Sequence, residues 1–253
     1  MAELTLTFWI VALAMVFATG VSKAGFGAGI EALAVPVLAL FLVPQFAAAV
    51  MLPILLVIDA VNLWRWRKEW DRRVLARVLP AAVVGIGVGA LLFNVTTPDV
   101  LRLIVGLLAL AFLAQRILLP LEALADAPPP PPAITVALAG VAGITSTLAH
   151  AGGPPAKIAL LRERLAKNAF VATNAYWFAA MNLMKLPAYL ALAQISAQSL
   201  TLTAKLALVV PFGVVAGYWL NGRISERAFN HVILVALGLA GSKLVYDGAS
   251  ALL

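Results

Sequence analysis

Gly143-Ile144-Thr145-Ser146-Thr147-Leu148-Ala149-His150-Ala151-Gly152-Gly153-Pro154-Pro155 interrupts an apolar stretch in the second half of the chain. The first half holds a comparable stretch, Gly20-Val21-Ser22-Lys23-Ala24-Gly25-Phe26-Gly27-Ala28-Gly29. Clustered glycines, and tandem prolines after them, predict a broken helix at each place. Backbone groups set free at a break cannot face lipid, so such breaks persist only where protein buries them or water reaches them. Paired breaks in two halves of an apolar chain point to a transporter's binding site near the centre of a membrane.

Composition supplies the membrane. The chain is 63% hydrophobic and 11% charged, with mean hydropathy +1.01, far more apolar than soluble domains. Apolar segments run over 4–19, 28–43, 45–64, 74–94, 99–119, 133–149, 153–161, 168–192, 200–221 and 228–247, and several approach the ~20 residues that span a bilayer. Short alternating strands, the mark of a transmembrane barrel, do not occur. The fold class expected is all-α: a polytopic helical membrane protein of two inverted repeats whose discontinuous or re-entrant helices meet near the bilayer midplane.

The net charge of +7 does not indicate nucleic acid, because the basic residues sit between spans. Arg65, Arg67, Lys68, Arg72, Arg73 and Arg77 crowd one connection, and Arg162, Arg164 and Lys167 another, which is the positive-inside pattern. There is no cysteine and there are two histidines; neither a zinc site nor any other cofactor is expected. Leu4–Ala18 lacks a basic leader and a cleavage site, so it reads as mature structure rather than as a signal peptide.

The chain divides into a first transmembrane repeat (1–120), a Pro-rich cytoplasmic linker (121–132) and a second repeat (133–253), together one membrane domain. The run Pro128–Pro132 favours an extended linker. Asn62-Leu63 recurs as Asn182-Leu183, and Pro80 with Val83-Val84 recurs as Pro211 with Val214-Val215. Charge placement alternates between the halves: the loop after the third segment is basic, while its counterpart 195–199 carries no charge. Phe41–Gln45 is uncharged against Arg162–Lys167, and 94–99 lacks basic residues where 221–227 carries Arg223 and Arg227. Halves inserted in opposite orientations produce this alternation, which puts both termini outside. Gly153 to Leu161 spans only about 14 Å at 1.5 Å per residue, so 133–161 is expected to be a re-entrant hairpin from the cytoplasm. By symmetry 4–43 enters from outside, re-entrant or fully spanning.

Each break opens a helix whose free N–H groups and dipole favour an anion. The candidate binding residues are Lys23, Gly25, Phe26, Gly27 and Gly29 at the first break, and His150, Gly152 and Gly153 at the second. Thr145, Ser146 and Thr147 offer hydroxyls. Asp59 and Asn62 lie i, i+3 on one helix face, and Asn182 and Lys185 lie within a later span. A group ionised at such depth faces a cavity or a partner. Asp59 is the candidate for coupling: it can pair with a lysine and be displaced by substrate, carry a proton, or simply sit at the interface beside the basic loop. Packing is the alternative role for the glycines, snorkelling for Lys23, and a structural hydrogen bond for His150. Trp64, Trp66 and Trp70 read as an interfacial belt.

At these residues the chain resembles the TauE/SafE family of membrane transporters over nearly its whole length. The first signature is Gly20-x-x-Lys23-x-Gly25-Phe26-Gly27 followed by Val35-Pro36. The second is His150-Ala-Gly152-Gly153-Pro154, with Asn182-x-x-Lys185-x-x-x-Tyr189 downstream. Ala28 departs from a common form that carries another glycine, and the second break is the histidine variant of a Gly-rich motif. The resemblance implies a secondary transporter of sulfite or an organosulfonate in the bacterial inner membrane, with a small anion and the lipid bilayer as partners and a proton or ion as possible coupling partner. Oligomeric state is left open. Rival readings are a carrier for another organic acid, a passive anion channel and, remotely, an intramembrane hydrolase using Ser146 and His150. That last reading lacks a Gly-x-Ser-Gly context and a group to orient the base.

Overall fold

The computed structural model describes residues 4–26, 31–67, 69–118, 131–161, 163–220, 223 and 226–252, the side chains of Phe26, Glu31 and 226–230 excepted. The described residues form eleven α-helices. In the first half these are α1 (Leu6–Val21), α2 (Glu31–Leu38), α3 (Pro44–Arg65), α4 (Arg72–Val95) and α5 (Pro98–Leu118). The second half has α6 (Pro132–Ala149), α7 (Gly153–Leu161), α8 (Lys167–Ala191), α9 (Ala197–Ala207), α10 (Val210–Leu220) and α11 (Glu226–Ser250). The chain is an all-α polytopic membrane protein: six helices are long and apolar enough to cross a bilayer, and α9 with α10 form a seventh candidate bent by 43°. The bend falls where Pro211, in the first turn of α10, can give no N–H to the preceding turn. The segment read from sequence as continuous over 200–221 is therefore two helices.

The two hairpins share a design. In the first, α1 runs on through a π-turn, Ser22–Phe26, making a 20-residue apolar rod from Leu6 to Gly25. Its return arm α2 has eight residues, about 12 Å. In the second, α6 has 18 residues and the return arm α7 has nine. Each hairpin thus has one arm of spanning length and one too short to span.

Packing exchanges helices between the halves. Helix α4 lies against α6, and α1 with its π-turn lies against α10; α3 packs on α8, and α5 on α11. When the halves are aligned in order, with α9 and α10 together matching α4, the first two contacts are images of one another. The last two pair each helix with its own counterpart. Glycines allow the exchanged pairs to approach. A Cβ on Gly85 would lie 2.0 Å from the Gly140 carbonyl oxygen, and one on Gly143 would lie 2.2 Å from that of Ala82. On the other pair, Gly217 and Gly213 abut the carbonyls of Val21 and Phe17. Close backbone approach of this kind is how membrane helices gain packing energy where lipid supplies no hydrophobic drive.

Three basic connections meet at one end. Arg77 grips Glu163 through two bonds of 2.8 and 2.9 Å, and the Asp71 N–H donates to Thr173 Oγ1 at 2.8 Å. Trp70 stacks on Tyr176 with ring centres 4.8 Å apart. Arg65 lies over Tyr218, and Arg223 over Trp219. Trp64 is 73% exposed at this end, beside Arg67, as an interfacial tryptophan should be.

Candidate functional site

The polar interior is strung between the two breaks by α3 and α8. Lys23, in the π-turn, sets its ammonium 2.6 Å from Asp59 Oδ1 on α3, with both side chains under 5% exposed. Asn182 on α8 donates from Nδ2 to the other carboxylate oxygen at 2.6 Å. Asn62, one turn beyond Asp59, donates to the backbone carbonyl of Lys23 at 3.3 Å. Its own amide oxygen accepts from the Tyr218 hydroxyl at 3.2 Å. The π-turn itself explains why Lys23 can be read there: a widened turn shifts the register of a helix, and such turns gather at functional sites. Phe178 on α8 lies beneath the Lys23 ammonium, 5.6 Å from nitrogen to ring centre, within cation–π range.

One turn along α8 from Asn182, the fully buried Lys185 serves the second break. Its ammonium donates to Ser146 O at 3.1 Å, Ser146 Oγ at 3.0 Å and His150 Nδ1 at 2.7 Å. On its other side the His150 ring meets the Ala48 carbonyl at 2.9 Å through Nε2. A carbonyl can only accept, so Nε2 carries the hydrogen and Nδ1 faces the lysine. His150 also ends α6 in a left-handed conformation, φ 51°, a place usually given to glycine. Behind it the Ala151 N–H closes on Thr145 O at 3.1 Å. The Tyr189 hydroxyl donates to Thr147 O at 2.6 Å, satisfying a carbonyl that the break would otherwise leave open.

The sequence-derived candidates thus converge in part. Lys23, Asp59, Asn62 and Asn182 form one connected group, and Lys185 with His150 a second, the two joined through adjacent turns of α8. Gly25 faces α10, where a Cβ would lie 2.5 Å from the Gly217 carbonyl oxygen, and Gly152 closes the second hairpin against the Ala142 carbonyl. Gly153 is the first residue of α7. Thr145 and Thr147 turn their hydroxyls back to the Val141 and Gly143 carbonyls of their own helix, so of the three hydroxyl residues Ser146 is the one bound to Lys185. Gly27 and Gly29, the side chain of Phe26 and linker residues 121–130 lie outside the described residues. Sequence reasoning missed Phe178 and Tyr218, which carry no signal until the fold sets them against Lys23 and Asn62. Tyr189 was visible only as part of a motif.

A narrow cleft lined by Lys23, Asn62, Trp66, Val171, Asn174, Ala175 and Phe178 reaches the first group. It lies between the end of α3 and the start of α8, at the end of the molecule where the basic connections meet.

The described residues thus make a polytopic helical membrane protein with two hairpins and a buried Lys23–Asp59 pair in its interior. The family model described as Sulfite exporter TauE/SafE matches residues 12–244, and the chain belongs to that family. No curated protein and no solved structure matches it significantly.

Proposed function

We propose that this protein is a secondary carrier that moves a small anion, sulfite or an organosulfonate, across the cell membrane by alternating access between its two broken hairpins. The observation that carries the proposal is the Lys23–Asp59 pair. Asp59 places an oxyanion on a buried ammonium in the π-turn, beside a cleft from the basic end, and a pyramidal or tetrahedral oxyanion presents the same chemistry to Lys23. Free N–H groups at the start of a return arm suit the same class of ligand. Asn62 and Asn182 would line the walls, and His150 with Lys185 would form the opposite side, reaching the anion only when their bonds to Ala48 and Ser146 open.

The inverted arrangement of residues 1–120 and 133–253 gives the mechanism its two faces. It is supported by the exchanged packing of α1 on α10 and α4 on α6. Convergence of the basic connections at one end supports a cytoplasmic position for that end, with both termini outside. The hydrolase reading would need His150 to take the Ser146 proton, and the ring weighs against it: Nε2 is engaged by the Ala48 carbonyl and Nδ1 by Lys185.

Counterflow of labelled sulfite in proteoliposomes tests the proposal, with taurine, sulfoacetate, sulfate and acetate as competitors. Saturable exchange that the organosulfur anions compete for, and that Lys23→Ala abolishes, is the expected result. Flux without saturation or counterflow would indicate a channel, and competition by acetate alone would move the cargo to carboxylates.

A further inference from the structure

On the carrier reading above, the fate of Asp59 decides what travels with the anion. We infer that each monovalent anion seated on Lys23 is accompanied by one proton, held by the Asp59 carboxyl. Asp59 is 3% exposed, and its partners are the Lys23 ammonium and the Asn182 amide. An anion that takes the place of Asp59 on Lys23 leaves the carboxylate with the neutral amide. The other groups around it are committed elsewhere. Asn62 donates to Lys23 O and accepts from Tyr218. The Lys185 ammonium, one turn along α8, serves Ser146 and His150, and the His150 ring is fastened to Ala48.

A carboxylate charge parted from its counter-ion at this depth is strongly disfavoured. A proton removes that charge. The new O–H bond forms on the oxygen that Lys23 vacates, while the second oxygen keeps the Asn182 amide. The proton is given up by a hydronium ion of the bathing solution, which leaves as water, on the side where the cleft between Asn62, Trp66, Asn174 and Phe178 approaches the pair. The interior then has the same net charge in both forms: ammonium with carboxylate in one, ammonium with bound anion and a neutral acid in the other. Either form can turn over in the membrane without carrying net charge across it, so anion and proton move together, one to one.

The test uses the full chain in proteoliposomes with a trapped pH dye and an inward gradient of labelled methanesulfonate, an anion that carries no titratable proton of its own. The readout is protons per anion, which does not depend on how fast the protein works. Wild type should give a ratio near one, with no dependence on an imposed membrane potential. Asp59→Asn should bring the ratio to near zero in whatever flux it retains, and Asp59→Glu should restore it. Methanesulfonate movement in wild type with no dye signal would overturn the inference and leave the carrier reading standing. A dye signal persisting in Asp59→Asn would overturn the assignment to Asp59. Absence of exchange with every anion tried, from folded protein, would remove the carrier reading and this inference with it.

Discussion

Removing one member of the Lys23–Asp59 pair should destabilise the protein far more than removing both. The nitrogen and oxygen are 2.6 Å apart, and their attraction at an effective dielectric constant near 20 is about 6 kcal/mol. Withdrawing each ion from water costs several kcal/mol, so the intact pair contributes little net stability. Asp59→Leu leaves a buried ammonium without its carboxylate, and the expected loss is about 3–5 kcal/mol. Lys23→Met should cost a similar amount. In the double variant both desolvation costs disappear, and what remains is the Asn182 amide without its acceptor, about 1 kcal/mol for one hydrogen bond in a membrane protein. Reversible unfolding in mixed detergent and SDS micelles gives the three values and closes the cycle. The coupling should exceed about 2 kcal/mol, with a double variant that is folded and inactive. Additivity within about 0.5 kcal/mol would refute the argument, since it would mean that the two groups do not feel each other.

The glycine seam makes a sharper contrast on a single helix. Gly85→Ala places a methyl 2.0 Å from the Gly140 carbonyl oxygen and should cost at least about 1–3 kcal/mol. Two residues away, a methyl on Gly87 would meet nothing within 4 Å, and Gly87→Ala should be neutral or gain up to about 1 kcal/mol; melting of the two variants decides it. Tyr189→Phe removes the 2.6 Å bond to Thr147 O and should lose about 0.6–1.7 kcal/mol in the same unfolding assay. Arg77→Ala breaks a pair whose arginine is 43% exposed, so its effect should stay below about 1 kcal/mol and fade as salt is raised.

How much of this was legible beforehand depends on the range over which each signal acts. The second break was plain in Gly152-Gly153-Pro154-Pro155, because the prolines cannot continue the helix before them and fit the first turn of the next. The first was legible as a break but not as a π-turn: the widened turn over Ser22–Phe26 is held by close packing on α10, with Gly25 against Gly217. Depth in the membrane marked Asp59, Asn182 and Lys185 as costly and therefore partnered. Naming the partners needed the fold, since Asn182 reaches across to Asp59 from the other half of the chain and Lys185 reaches back to Ser146. Helix α8 shows the reverse problem. Asn174, Asn182 and Lys185 dilute its apolar character below that of the six other long helices, and it carries the bonds that join the two breaks.

The exchange of helices between the halves has a consequence for how the protein is made. Helix α4 turns Gly85 and Gly89 toward α6, and that helix leaves the ribosome only after α5 and the intervening residues have been synthesised. Until then the first half sits in the bilayer with a glycine groove occupied by lipid, and α1 waits longer still for α10. Neither half can complete its own packing, so the exchanged contacts close in chain order, α4 on α6 first and α1 on α10 last. A first half made alone would leave the Gly85 and Gly89 face of α4 without the helix it fits.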